Sequence, residues 1–312
     1  MRDVLSSQIR CLDYVFKREA TMAVQILNRV PYVQIPRIST GVDDLDWIYG
    51  GEGKNWGLPT GKISLWKGPS GTGKSRSLIT IATNMSSAGH RVLYFQNEVT
   101  LSDFRAWIGK KRLPLTLYGS EATSLDEQIE DILKVKATFV IVDSVNQINE
   151  FGNGHKSAIN KIYNRYRAVT KKTGVHVAFI CQLDKQNQIK GGSELKFLSD
   201  TVISLGFHFI DKVPLDGHFT VNIGDKHRYG RTGSDMTTLW KHTDDGAICL
   251  SNNRLSDKDW CDAHGLKALK SALHGHLPQQ YHDPISGCDF FEPDPKFFGR
   301  VFKKRRKVLT SA

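Results

Sequence analysis

Cysteine is scarce and scattered. Cys11, Cys181, Cys249, Cys261 and Cys288 are odd in number and none forms a CxxC pair, which argues against a disulfide framework and for a reducing compartment. No run approaches the roughly 18 unbroken apolar residues of a membrane helix. The charged opening Met1 to Arg10 carries no signal-peptide core. A soluble, intracellular, cytoplasmic protein without a membrane partner is the expectation. Glycine (27) and proline (10) are too few in 312 residues for a collagenous or low-complexity chain, and no internal repeat of fixed period is visible. Acidic residues are in deficit, 32 against 43 Lys and Arg, which leaves a net charge of +11 and suggests a polyanionic partner. Six of those positive charges, Arg300 and the run Lys303, Lys304, Arg305, Arg306, Lys307, fall in the last thirteen residues. The body of the chain is therefore only mildly basic.

What is present is apolar surface enough for a sizeable core: 15 Phe, 6 Trp and many Val/Ile-rich runs. Residues 1–36 place Leu5, Ile9, Leu12, Phe16, Ala20, Ala23 and Leu27 at three- and four-residue spacings, one amphipathic helix stripe closed by Pro31 and Pro36. From 37 to 250, short β-branched runs alternate with helical patterns. Predicted strands cover Lys62 to Trp66, Arg91 to Phe95, Ala137 to Asp143, Val175 to Cys181 and Asp200 to Leu205. Continuous apolar strands such as Phe139-Val140-Ile141-Val142 fit an α/β fold with a mainly parallel sheet and helices on both faces. Later runs, Phe219 to Ile223 and Thr238 to Trp240, read as added antiparallel strands. Residues 251–312 form an extension with one helix expected around Leu266 to Leu273, followed by the basic tail.

Directly after the first strand, Gly68-Pro69-Ser70-Gly71-Thr72-Gly73-Lys74-Ser75 satisfies GxxxxGK[ST]. Its glycines let the backbone curl so that N–H groups point at phosphate oxygens, and the helix that follows, beginning Lys74-Ser75-Arg76, offers its positive end. Lys74 reaches the β and γ phosphates in such loops, and Ser75 ligates Mg²⁺. Asp143 ends an apolar strand at the edge where open sheets bind ligands, placed to hold the Mg²⁺ beside the phosphates. Hydrolysis needs a group that orients or deprotonates water. Glu98, just past the strand Arg91 to Phe95, is that candidate; the alternative is that it caps the helix starting near Leu101.

Further residues carry a family resemblance. Thr40-Gly41-Val42-Asp43-Asp44-Leu45-Asp46, Gly50-Gly51, Val142-Asp143-Ser144-Val145 and Lys226-His227-Arg228-Tyr229-Gly230 resemble motifs of the RecA superfamily, most closely its RadA/Sms branch. The stretch from Gln182-Leu183-Asp184-Lys185 through Gly191-Gly192 to Asp200-Thr201-Val202 is also similar to DnaB-type helicase cores. The resemblance spans about residues 37 to 245. It implies a RecA-like fold and a DNA-dependent ATPase using ATP and Mg²⁺, whose sites lie between protomers of a hexameric ring or a filament. Residue by residue, Glu98 matches the catalytic glutamate, Gln182 the γ-phosphate sensor, and Lys226 with Arg228 the basic pair supplied to a neighbour's nucleotide. A solvated turn is the alternative for that pair. Departures from the branch are His227 and Tyr229 in place of Asn and Phe, and Gln96-Asn97 ahead of Glu98. Neither a four-cysteine zinc ribbon before the core nor a protease-like domain after it is matched.

The resemblance further implies that two loops, after the metal strand and after the sensor strand, face the central axis, where they would contact DNA if they are not plain surface turns. Here they are Asn149 to Lys156, with Phe151, and Asp184 to Gly192, with Lys185 and Lys190; glycines, amides and cations suit them to tracking a phosphate backbone. The run Lys303 to Lys307 reads as a nonspecific DNA arm, a dock for an acidic partner, or a nuclear address if the host is eukaryotic. Nucleoid association is expected otherwise. Cys261, His264, His274, His276, His282 and Cys288 match no standard zinc spacing. The functions left standing are a DNA-stimulated ATPase of recombination, repair or replication acting on single-stranded or branched DNA, a nucleotide-gated scaffold or mediator with little hydrolysis, a DnaB-like helicase, and a KaiC-like signalling ATPase.

Overall fold

The computed structural model describes residues 27–109, 113–152, 154–183, 189, 193–210, 212–232, 236–244, 246–251, 253–265, 279–282 and 289–292. Residues 1–35 and 36–312 are separate compact units. The stripe from Leu5 through Ala23, the helix expected at Leu266 to Leu273 and the tail Lys303 to Lys307 lie outside the described residues.

Nine strands build one sheet: β1 (Ile63–Gly68), β2 (Val92–Gln96), β3 (Leu117–Ser120), β4 (Phe139–Asp143), β5 (His176–Gln182), β6 (Thr201–Ile210), β7 (Val213–His227), β8 (Thr237–Thr243) and β9 (Gly246–Cys249). Their order is β9-β8-β7-β6-β1-β5-β4-β2-β3. Strands from β6 through β1 to β3 are parallel, and β6, β7, β8 and β9 pair antiparallel. Thus the mainly parallel α/β sheet with added antiparallel strands is as expected. The inner parallel strands β1, β2, β4 and β5 are buried on both sides because their residues alternate between two apolar layers. Leu65, Val140, Val142 and Phe179 face one cluster, while Trp66, Tyr94, Ile141 and Ile180 face the other.

Among the described residues seven α-helices cover these layers: α1 (Asp43–Tyr49), α2 (Lys74–Ser87), α3 (Leu101–Ile108), α4 (Leu125–Val135), α5 (Lys156–Thr173), α6 (Glu194–Leu198) and α7 (Lys258–Ala263). Thr100 and Ser124 cap α3 and α4 by accepting from Asp103 and Glu127 amides. Gly174, at positive φ, ends α5. In α5, Ile159, Ile162, Tyr163 and Tyr166 turn inward at helical spacing. The start of the C-terminal segment is held to α1. Buried Asp44 accepts from the amides of Asn253 and Arg254 at 3.1 Å each and pairs with the Arg254 guanidinium, while Asp257 accepts from Trp47 Nε1 at 2.9 Å. Among the described residues no helix is long and apolar enough to cross a membrane.

Candidate nucleotide site

The parallel order sends the chain from β1 past β5 and β4 before it returns as β2, so the carboxyl ends of these four strands open onto one crevice. In register, Gly68 lies beside Gln182, and Gln96 beside Asp143. The phosphate loop leaves β1 at that edge. Gly71 and Gly73 both adopt φ of +81°, a left-handed geometry that curls the loop, and a Cβ on Gly73 would sit 2.6 Å from the Phe219 ring. Thr72 Oγ1 donates to the Pro69 carbonyl at 2.8 Å and closes the curl. Lys74, the first residue of α2, is buried, and its ammonium donates to the carbonyls of Gly68 (2.8 Å) and Pro69 (2.7 Å). Burial pulls its pKa below the usual lysine value, against the opposing pull of Asp143, Cys181 and Glu98.

Ser75 Oγ donates to Asp143 Oδ2 at 2.6 Å, and Tyr94 OH donates to the same oxygen at 2.7 Å. Burial pushes the Asp143 carboxyl up to about 6, with Glu98 adding to the rise, while these two hydroxyls and Lys74 oppose it. Such a carboxylate gains most from a cation beside it. Gln182 Nε2 donates to Glu98 Oε1 at 2.7 Å, and the Glu98 amide donates to Gln96 Oε1 at 3.0 Å. The capping alternative for Glu98 is not what the structure shows: Thr100 is the cap of α3. An open cavity of about 250 Å³ is lined by Ser70, Gly71, Gly73, Lys74, Ser75, Arg76, Glu98, Asp143 and Gln182, together with Trp107, Ile180 and His242.

Several of these were missed in the sequence. Tyr94 carries a hydroxyl inside a fully buried strand and so required a partner, a signal that was there to read. Trp107 and His242 come from α3 and β8 and gave none. The Arg76 guanidinium lies 5.0 Å from the Trp107 ring centre and donates to the Thr243 carbonyl, forming a flat cationic and aromatic wall at one end of the cavity.

Other expected site residues lie elsewhere. Lys226 and Arg228 do not line this cavity. In register, Lys226 stands opposite Val202, itself opposite Leu65, on the amino-end side of the phosphate loop. The Lys226 ammonium donates to the carbonyls of Lys196 and Phe197, and Arg228 pairs at 3.5 Å with buried Asp200 while half-exposed. Lys156 belongs to α5 rather than to a loop, and it pairs with Glu194 at 2.8 Å. Phe151, expected in a surface loop, is a core residue: a short 3₁₀ turn, Asn149–Phe151, tucks its ring into the apolar cluster beneath α5. Lys185 and Lys190 fall outside the described residues. Among the described residues, no group of three or more His, Cys, Asp or Glu is placed to hold a metal.

A curled glycine loop, a lysine at the helix start and a carboxylate on a nearby parallel strand define a P-loop ATPase core of the RecA superfamily, similar to that of RadA. The chain belongs to the AAA domain family, whose match covers residues 27–188. Among curated proteins it is similar to the DNA repair protein RadA of Halalkalibacterium halodurans, 26% identical over 197 residues, 61% of this chain and 42% of that one. The RadA of Brucella abortus is 25% identical over 233 residues (70% and 46%), and that of Rickettsia typhi 28% over 207 residues (63% and 43%). The chain thus spans less than half the length of these relatives.

Proposed function

We propose that this protein is a DNA-dependent ATPase of the RecA/RadA type that couples ATP hydrolysis to assembly or movement on single-stranded or branched DNA in recombination, repair or replication. One observation carries the reading: Lys74 and Ser75 after β1, Glu98 after β2, Asp143 on β4 and Gln182 on β5 meet in one cleft. Main-chain amides of the loop and the Lys74 ammonium bind the phosphates; Trp107 and Arg76 offer a flat face to the base.

The oxygens of Ser75 and Asp143, 2.6 Å apart, are a hard donor set suited to Mg²⁺. Magnesium bound there supplies charge neutralisation at the phosphate oxygens. Glu98 orients and deprotonates the attacking water, and Gln182, hydrogen-bonded to it, links the position of that carboxylate to the terminal phosphate. Lys226 and Arg228, turned away from the protomer's own cleft, serve the nucleotide of a neighbour in a ring or filament, which makes turnover depend on self-association. Lys156, Lys185, Lys190 and the run Lys303 to Lys307 supply phosphate-backbone contacts.

The test is ATP turnover with and without single-stranded DNA at two salt concentrations. Stimulation that shrinks at the higher salt is expected, because phosphate contacts release counterions. Turnover that ignores DNA at both salts removes DNA from the reading.

A further inference from the structure

We propose that α6 holds Lys226 in a withdrawn position and that the Asp225 carboxylate is the clamp that sets how readily it leaves. This rests on the reading of Lys226 as a cation supplied to a neighbour's nucleotide. The ammonium donates to the carbonyls of Lys196 (3.0 Å) and Phe197 (2.7 Å), groups near the end of α6 that have no partner further along so short a helix. At five residues α6 is too short to stand alone. Its buried anchor is Leu195, whose carbonyl accepts from Tyr163 OH at 3.2 Å.

Asp225 supplies the second anchor. Its Oδ2 lies 2.6 Å from Lys67 Nζ and 3.1 Å from Lys196 Nζ. Both lysines hold the carboxyl below its usual range, Lys67 most strongly. Lys67 is the β1 residue just before Gly68, and its side chain is only 17% exposed. Consecutive residues of β7 therefore grip α6 twice: Asp225 takes the Lys196 side chain, and Lys226 takes the Lys196 and Phe197 backbone.

Two neutral carbonyls are weaker acceptors than a phosphate. The withdrawn position prevails while no anion is offered, and a neighbour's nucleotide competes for the ammonium when protomers meet. Leaving costs two carbonyl bonds and is easier if α6 can shift with them. Asp225, through Lys196, prevents that shift.

The experiment compares the 312-residue parent with Asp225→Ala, Lys196→Met and Asp225→Glu, by hydrogen exchange over residues 193–198 and by ATP turnover as a function of protein concentration. Asp225→Ala and Lys196→Met are expected to exchange up to about fivefold faster there, the range for the one partly exposed ion pair, Asp225–Lys196, that reaches α6. They should also reach half-maximal turnover at about a threefold lower protein concentration. Asp225→Glu should stay near the parent in both. Unchanged exchange in Asp225→Ala and Lys196→Met variants that melt like the parent, or a higher concentration for half-maximal turnover, overturns the proposal. Should parental turnover be indifferent to protein concentration and to Arg228→Ala, the shared-site reading fails, and release of Lys226 to a neighbour fails with it.

Discussion

Replacing Glu98 by Gln exchanges one oxygen for an amide nitrogen and separates binding from hydrolysis. Glu98 Oε1 accepts from Gln182 Nε2 at 2.7 Å, and a glutamine retains an oxygen able to accept the same bond, so the arrangement persists without the charge. Because Glu98 is exposed, the exchange costs less than about 1 kcal/mol of stability. The lost charge also ceases to raise the Asp143 pKa, so the metal-facing carboxylate ionises more easily and nucleotide affinity is preserved. General-base assistance contributes about 10²–10⁴-fold, or about 3–5 kcal/mol of barrier. Phosphate release by Glu98→Gln should therefore fall at least about a hundredfold, while a fluorescent ATP analogue binds within a factor of about three of the parent. Turnover within about fivefold of the parent, with the analogue still bound, refutes the assignment of Glu98.

Three further outcomes are expected. Asp143 titrates near 6 when folded against 3.8 for a free carboxyl, so the folded chain holds more protons between those values and loses stability as pH rises through them. Asp143→Asn, which still accepts from Ser75 and Tyr94, should melt higher than the nucleotide-free parent at pH 8 by up to about 3 kcal/mol, with the gap closing toward pH 4; a gap independent of pH contradicts this. Gly71 and Gly73 share φ +81°, yet a Cβ on Gly71 meets nothing closer than 3.8 Å whereas one on Gly73 meets Phe219 at 2.6 Å. Thermal melts should show Gly71→Ala losing about 1 kcal/mol and Gly73→Ala well over 2 kcal/mol, and equal losses would point away from the close approach. Mixing Arg228→Ala with Lys74→Ala protomers should restore part of the turnover that each lacks alone, and confirmed mixing without rescue excludes sites shared between protomers.

How far the sequence could be read depended on where each signal was held. The phosphate loop was legible because its chemistry is compressed into eight consecutive residues, and β4 because a strand buried on both faces is apolar throughout. The pairing of β2 with β4, expected from placing Glu98 near Asp143, is present in register. Edge strand β3 was not read: Leu117-Tyr118-Gly119-Ser120 is half-exposed, contains glycine and pairs on one side only. The β6–β7 hairpin runs well past the expected Leu205 and starts well before Phe219, because polar residues such as His208 and Asp216 interrupt the apolar pattern where its tip meets solvent. Phe151 shows the opposite failure, since the glycines beside it suggested a loop while the ring itself fills the core. The Tyr94 bond to Asp143 and the Trp107–Arg76 wall join residues 31 to 49 apart along the chain and become visible only once the strands and helices are placed.

Every role assigned to the cleft depends on a triphosphate gripped by the loop Gly68 to Ser75, through its amides and Lys74, with Asp143 beside it. Calorimetric titration of ATP with Mg²⁺ into the 312-residue chain is the decisive measurement. Saturable one-to-one binding per protomer is expected, and it should disappear in a Lys74→Ala variant that remains folded. Absence of binding by the folded parent, or binding of equal strength by Lys74→Ala, contradicts it.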